Sequence, residues 1–348
     1  MKRIGWIDFL KIIGIICVIL GHGLLPSNGQ FVVYTFHMPL FFILSGVTAK
    51  PIYGKERIMA QIIKTSKRLL VPYVLMSFSI VAFAFIFFSP TLAYLYSSIG
   101  GIFLGNAYRY GNFIPATGPL WFLVALFWIK IIWILSSQYG SNKQLLLILF
   151  CIGASIFLRR EKIDLFFSLD SALLAYPFFA FGTYFWRGYN RNKHYTPILL
   201  ASFFCLAVVC ILLHFSVNST KVDIAQSDYG RSILLFYATG ITVSLFLILS
   251  TQWIVSSPWL KIASDSTILL LGYNLYCVRI IERMQNFIGY SENLAIAVLG
   301  AIGSVVAFYP ITLLVRRYFP LLLGEDKNKF DNSLSSTHKL GIDEQKHQ

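Results

Sequence analysis

Ten apolar stretches, each near the roughly 20 residues an α-helix needs to cross a hydrocarbon core, constrain this chain more than any other feature. They fall near residues 4–24, 31–49, 69–88, 119–136, 144–158, 168–186, 196–215, 232–250, 266–283 and 292–315. With 57% of its 348 residues hydrophobic and 13% charged, the chain carries more apolar surface than one soluble core buries. Backbone polar groups in lipid must be satisfied inside the segment, so the stretches have to be helices. The expectation is an all-α, polytopic membrane protein, a bundle of about ten transmembrane helices filling residues 1–323. From 324 to 348 the chain turns polar and reads as a flexible cytoplasmic tail.

Charge placement orients the bundle. A net charge of +14 would suggest nucleic acid in a soluble protein, but here the basic residues cluster in alternate loops. Lys2 and Arg3 precede the first stretch. Lys50, Lys55, Arg57, Lys64, Lys67 and Arg68 follow the second; Arg187, Arg191 and Lys193 follow the sixth; Arg316 and Arg317 follow the tenth. Such excess marks cytoplasmic loops, which puts both termini inside and leaves the lipid bilayer, not nucleic acid, as the partner. Arg159-Arg160-Glu161-Lys162 runs against the rule.

The longest loop, 89–118, lies outside. Its Tyr94, Tyr96, Tyr108 and Tyr110 suit either sugar stacking or the membrane interface, and its Gly101 and Gly105 read as loop residues. Cys17, Cys151, Cys205, Cys210 and Cys277 all fall in apolar stretches, where a thiol behaves as a small hydrophobe. Residues 12–25 resemble the apolar part of a signal peptide, yet no small-residue cleavage site follows, so the segment reads as retained.

Ionisable groups inside spans are costly and mark function. Lys11 and His22 both lie in the first stretch. Eleven residues of α-helix turn through about 1100°, about 20° from whole turns, so the two share a stripe about 16 Å apart along the axis. Asp8, three residues before Lys11, is placed to neutralise it. His37 in Phe36-His37-Met38-Pro39 opens the next stretch from the same side; there it can approach His22 or satisfy a carbonyl freed by Pro39. Imidazole is the side chain best suited to proton transfer near neutral pH. Lys64, Lys67 and Arg68 stand at the inner mouth of the third stretch, where they read either as topology signals or as a phosphate site. No glycine-rich nucleotide cradle, zinc spacing or Gly-x-Ser-x-Gly elbow is present, and no metal is expected.

Several motifs resemble those of integral-membrane acyltransferase family 3, in particular its branch similar to fucose 4-O-acetylases. They are Trp6-Ile7-Asp8-Phe9-Leu10-Lys11 with His22, Phe36-His37-Met38-Pro39 through Ser45-Gly46, Arg68-Leu69-Leu70-Val71-Pro72-Tyr73, Gly118-Pro119-Leu120-Trp121, Phe178-Phe179-Ala180-Phe181-Gly182 and Arg317-Tyr318-Phe319-Pro320 through Gly324. The resemblance implies a ten-span enzyme that moves an acyl group, usually acetyl, from cytoplasmic acyl-CoA to a glycan hydroxyl outside. It makes His22 the catalytic histidine, Lys11 its basic partner and Arg68 part of a CoA-side basic motif. His37 would orient His22, and Asp8 would support Lys11. Two departures stand out: Thr65 replaces the first Arg of the family's Arg-x-x-Arg, leaving Lys64 or Lys67 to substitute, and Asn274 stands where some relatives carry a ninth-span histidine. No fused extracytoplasmic hydrolase-like domain is seen, which favours an acceptor handled by the membrane domain itself.

The mechanism expected is acetyl-CoA docking at the inner mouth on Lys64, Lys67 and Arg68, with His22 as general base or transient acyl carrier. A glycan or lipid-linked sugar is the acceptor and the bacterial plasma membrane the location. The rival reading is an exporter of a polysaccharide or lipid-linked sugar, although the two halves lack the matched broken helices that many transporters show.

Overall fold

The computed structural model describes residues 3–88, 91–106, 108–109, 112–113, 118–191, 197–218, 220–289 and 293–325. Lys2, Tyr110, Lys193 and residues 326–348 lie outside these, and of Tyr108 only the backbone is described. The helices are α1 (Gly5–Ile19), α2 (Ser27–Val47), α3 (Lys55–Phe88), α4 (Leu92–Leu104), α5 (Trp121–Ser136), α6 (Ser141–Arg160), α7 (Leu169–Arg191), α8 (Pro197–Val217), α9 (Ile233–Thr251), α10 (Pro258–Asp265), α11 (Thr267–Ile288) and α12 (Leu294–Tyr318). A two-residue antiparallel ladder, Tyr108–Arg109 with Asn112–Phe113, is the strand structure among the described residues.

Each of the ten apolar stretches is a helix, and eight helices are long and apolar enough to cross a membrane. The other two depart for visible reasons. Helix α5 has only 16 residues, and α11 carries Arg279, Glu282 and Arg283 in its second half. The short fifth stretch extends to a full 20-residue helix, α6.

Two sequence readings are corrected. Helix α3 runs 34 residues, so Lys64, Lys67 and Arg68 ride on a helix that continues inward for several turns beyond the third apolar stretch. The outer loop is not irregular throughout: Leu92–Leu104 folds as α4, with Thr91 accepting a hydrogen bond from Tyr94 N at its start. Gly101 is therefore helical. Gly105 ends the helix at φ 68°, where a side chain would also strike Phe167.

Helices α1, α2 and α7 form the centre, whereas α6, α8 and α12 bury only 17% of their apolar stretch. The central contact is made by small residues. A Cβ at Gly46 would collide with the Phe179 carbonyl, and one at Gly182 with the Ile43 carbonyl; the backbones of α2 and α7 thus touch, as small residues permit in membranes. Thr183 Oγ1 donates to Gly46 O at 3.1 Å across the same seam.

An ion network closes the inner end. Asp265, at the end of α10, accepts from Arg3 Nη2 at 2.5 Å and from Arg316 of α12. Arg316 also donates to Glu325 at 3.1 Å, docking the start of the polar C-terminal segment. Burial opposes the charge on Arg3, but its hydrogen bonds to Asp265 and Asp8 outweigh that and hold its pKa above the ordinary value. At the outer end, Arg159 pairs with Asp228 at 2.7 Å, donates to Gly230 O and lies 4.1 Å from the centre of the Tyr229 ring. The basic run that opposes the charge rule thus begins with a cation bound to the α8–α9 loop.

Candidate functional site

His22 does not continue α1. After Ile19 the backbone widens into a π turn, Leu20–Leu24, in which His22 (φ −85°, ψ 38°) and Gly23 (φ 114°) leave helical geometry. Such turns mark functional sites. Gly23 suits that place because φ of that sign disfavours any side chain; Glu282 Oε1 stands at ordinary contact distance from it. The continuous stripe expected from Lys11 to His22 is thus broken. His22 is exposed at the outer end of the bundle.

The two histidines meet around one phenol. Tyr34 packs edge-on to His22 (ring centres 6.3 Å apart) and to His37 (5.0 Å). Gly21 lets the π turn approach the Tyr34 ring, since a Cβ there would lie 3.2 Å from it. His37 is buried, and its Nδ1 donates to Val33 O at 2.7 Å, which holds the ring in place and leaves Nε2 on its far side. The carbonyl it satisfies is its own i−4 partner and not Thr35 O, the one that Pro39 frees. Lys221, from the α8–α9 loop, places its ammonium 4.1 Å from the Tyr34 ring centre and donates to Gln30 at 3.3 Å.

Asp8 is not the partner of Lys11. Its Oδ2 accepts from Arg3 Nε at 2.7 Å and its Oδ1 from Ser264 Oγ at 2.8 Å. Lys11, half-buried, feels the charges of Asp8, Arg3, Asp265 and Arg68, yet makes no ion pair among the described residues. Lys64 lines a cytoplasmic-side cavity of about 460 Å³ with Tyr53, Arg57 and Gln61; Lys67 and Arg68 are exposed. Arg68 borders the C-terminal strap, whose Gly324 turns at φ 67° against the Arg68 backbone. Asn274 is buried in α11 with its side-chain oxygen unpartnered.

The predicted residues therefore separate into two groups. His22 and His37 flank Tyr34 at the outer end; Lys11, Lys64, Lys67 and Arg68 belong to the inner side, and Asp8 to the inner ion network. Sequence reasoning missed Tyr34, Lys221, Glu282 and Lys130. The last two had a signal, an ionisable residue inside an apolar stretch. Lys221 lies in a loop and had none. No curated protein and no solved structure gives a significant match. The family model described as an acyltransferase domain matches residues 4–313, nearly the whole chain. The chain, an all-α membrane protein with these groups at its two ends, therefore belongs to acyltransferase family 3.

Proposed function

We propose that this membrane acyltransferase is an O-acetyltransferase of the plasma membrane, taking acetyl from cytoplasmic acetyl-CoA and delivering it to a hydroxyl of a cell-surface or lipid-linked glycan. One observation carries the reading: a π turn holds His22 out of its helix, exposed at the outer end, beside a phenol shared with His37. In the reaction the acceptor hydroxyl oxygen attacks the thioester carbonyl, forming C–O and breaking C–S. His22 takes the hydroxyl proton as general base and returns it to the leaving thiolate, a role worth typically 10²–10⁴-fold. His37, hydrogen-bonded to Val33 O, holds the Tyr34 ring against which His22 is oriented. Glu282, beside Gly23, and the Lys221–Gln30 pair supply polar groups for a sugar at the outer end.

On the cytoplasmic side, the cavity lined by Tyr53, Arg57, Gln61 and Lys64 suits the adenosine end of the donor, offering an aromatic face, an amide and two cations. Transfer of label from radiolabelled acetyl-CoA by protein in nanodiscs, with mass spectrometry of surface glycan from deletion and complemented strains, tests the function. Wild type restores the mass of one acetyl group per modified unit; His22→Ala, at equal protein level, does not. A deletion strain whose glycan mass is unchanged, or full transfer by His22→Ala, contradicts it.

A further inference from the structure

The basic run Arg159-Arg160-Glu161-Lys162 breaks the charge rule at the outer face, and nothing in the reaction uses it. Arg159, in the last turn of α6, is half-buried, whereas Arg160 is exposed. The contacts of Arg159 fall on the loop between α8 and α9. Its guanidinium pairs with Asp228 Oδ1 at 2.7 Å, donates to Gly230 O and lies 4.1 Å from the centre of the Tyr229 ring. One planar cation thus grips three consecutive residues, as a fork with an aromatic face can and an ammonium cannot.

The grip is passed across the loop. Asp228 and Asp223 exchange backbone hydrogen bonds, each N–H donating to the other's carbonyl at 2.8 Å. The Asp223 carboxylate accepts from Ala225 N at 2.9 Å and from Gln226 Nε2 at 3.1 Å. Ser227 Oγ donates to Asp170, at the start of α7, at 3.0 Å. Asp223 is extended, so side chains alternate about it: Val222 and Ile224 are buried, Lys221 and Asp223 half-buried. Lys221, two residues from the bridge, carries the loop to α2. Its ammonium lies 4.1 Å from the centre of the Tyr34 ring and donates to Gln30 at 3.3 Å, and Tyr34 packs against both His22 and His37. A lysine stem is flexible, so where its ammonium rests depends on how firmly its backbone is held. Contacts run without a break from Arg159 through Asp228 and Asp223 to Lys221 and the two histidines.

Resting on the acceptor reading above, we propose that Arg159 is a positioning residue for the acceptor. It clamps the α8–α9 loop so that Lys221 stays over Tyr34, where the N–H donors that Gln30 does not take up meet the acceptor sugar beside His22. The run stands against the charge rule because its first cation sets this loop; Arg160, with no hydrogen bond or ion pair among the described residues, takes no part.

The test compares wild type, Arg159→Met, Arg159→Lys, Lys221→Met, the Arg159→Met/Lys221→Met double variant and Arg160→Met in nanodiscs. Transfer from radiolabelled acetyl-CoA to surface glycan extracted from the deletion strain gives kcat and both KM values. Modification of Lys221 by N-hydroxysuccinimidyl acetate, read by mass spectrometry, follows the ammonium without any transfer. The clamp predicts that Arg159→Met quickens modification of Lys221 by about fivefold or more, as local opening frees it. It also predicts that this variant raises the acceptor KM as much as Lys221→Met does, with the donor KM unmoved, and that the double variant is no worse than Lys221→Met alone. Arg159→Lys, which keeps a charge for Asp228 and loses the fork, falls between. Arg160→Met, which removes the same charge from the same run, matches wild type in both assays. Should the methionine variant not fold, Arg159→Lys and its double with Lys221→Met carry the same comparison at smaller amplitude. Losses that multiply in the double variant, unchanged modification of Lys221 in the Arg159 variants, or the same effects in Arg160→Met overturn the proposal. A wild-type protein that moves no acetyl to the glycan, while Arg159→Met frees Lys221 and Arg160→Met does not, keeps the clamp and overturns the acceptor reading alone.

Discussion

Two sets of cations lie near the inner end of the bundle, and the chain treats them in opposite ways. Arg3 and Arg316 converge on Asp265, with Asp8, Ser264 and Glu325 taking up the remaining donors and acceptors. Lys11, Lys130 and Arg68 make no ion pair among the described residues, although the charges of Asp8 and Asp265 still reach Lys11. The first set ties α1, α10, α12 and the C-terminal strap together and is internally complete. The second has no ion pair, and its Lys11 and Lys130 lie within apolar helices, where an unpaired charge is expensive. Similar residue types thus tie helices together where their partners come from the chain, and stay without an ion pair where they do not.

The sharpest way to break this comparison is Asp265→Ala, which strips the shared acceptor from two partly buried arginines. Breaking such a pair costs about 3 kcal/mol or more, so a large fall in melting temperature and yield is expected. A variant as stable as wild type would show the network to be ornamental. Lys11→Met is the counterpart in the second set. Thermal unfolding should be unchanged or shifted upward, since an uncompensated charge is removed, while acetyl transfer falls at least tenfold; a marked loss of stability would move Lys11 into the first set.

Gly23→Ala separates the outer site from both. Forcing a side chain into φ 114° costs about 1–2 kcal/mol and displaces His22, so kcat should fall more than KM rises. Unchanged kcat would mean that the π turn does not set the imidazole. Smaller still is Lys221→Met. Loss of a cation–π contact worth about 1 kcal/mol predicts a fall of roughly fivefold in kcat/KM for the acceptor, with the donor KM unmoved.

The smallest effect expected is on pH dependence in the α8–α9 loop. Burial raises the Asp223 carboxyl above the ordinary carboxylate range, so its protonated form is favoured by the fold. That contribution is present at low pH and lost as pH rises through the raised pKa. Amide exchange in residues 221–230 should quicken between acidic and neutral pH, and Asp223→Asn should flatten the change. Exchange whose pH trend is the same in both forms removes the assignment.

Much of the fold was legible because lipid makes a single demand, about 20 apolar residues per crossing; all ten stretches are helices and eight of them meet that demand in full. What the pattern could not carry were features decided by contacts. Helix α3 continues inward through polar residues that no apolar count includes, and α4 forms in a stretch whose glycines read as loop. Of the site, His22 and His37 were legible as ionisable groups opening facing ends of consecutive spans. The π turn was not, although two glycines flank His22. Pairing was the least legible. Asp8 sits three residues from Lys11, where local spacing assigns it, yet its acceptors serve Arg3 and Ser264, the latter 256 positions away. Lys130 stood in plain view as a lone cation in an apolar run.

The most direct test is a structure of the protein in nanodiscs with CoA bound. The account predicts the nucleotide on the cytoplasmic side, beside Lys64, with the pantetheine arm rising along α1 so that its sulfur ends beside His22 and Tyr34. A nucleotide bound at the outer end, or a thiol pointing away from that histidine, would contradict it.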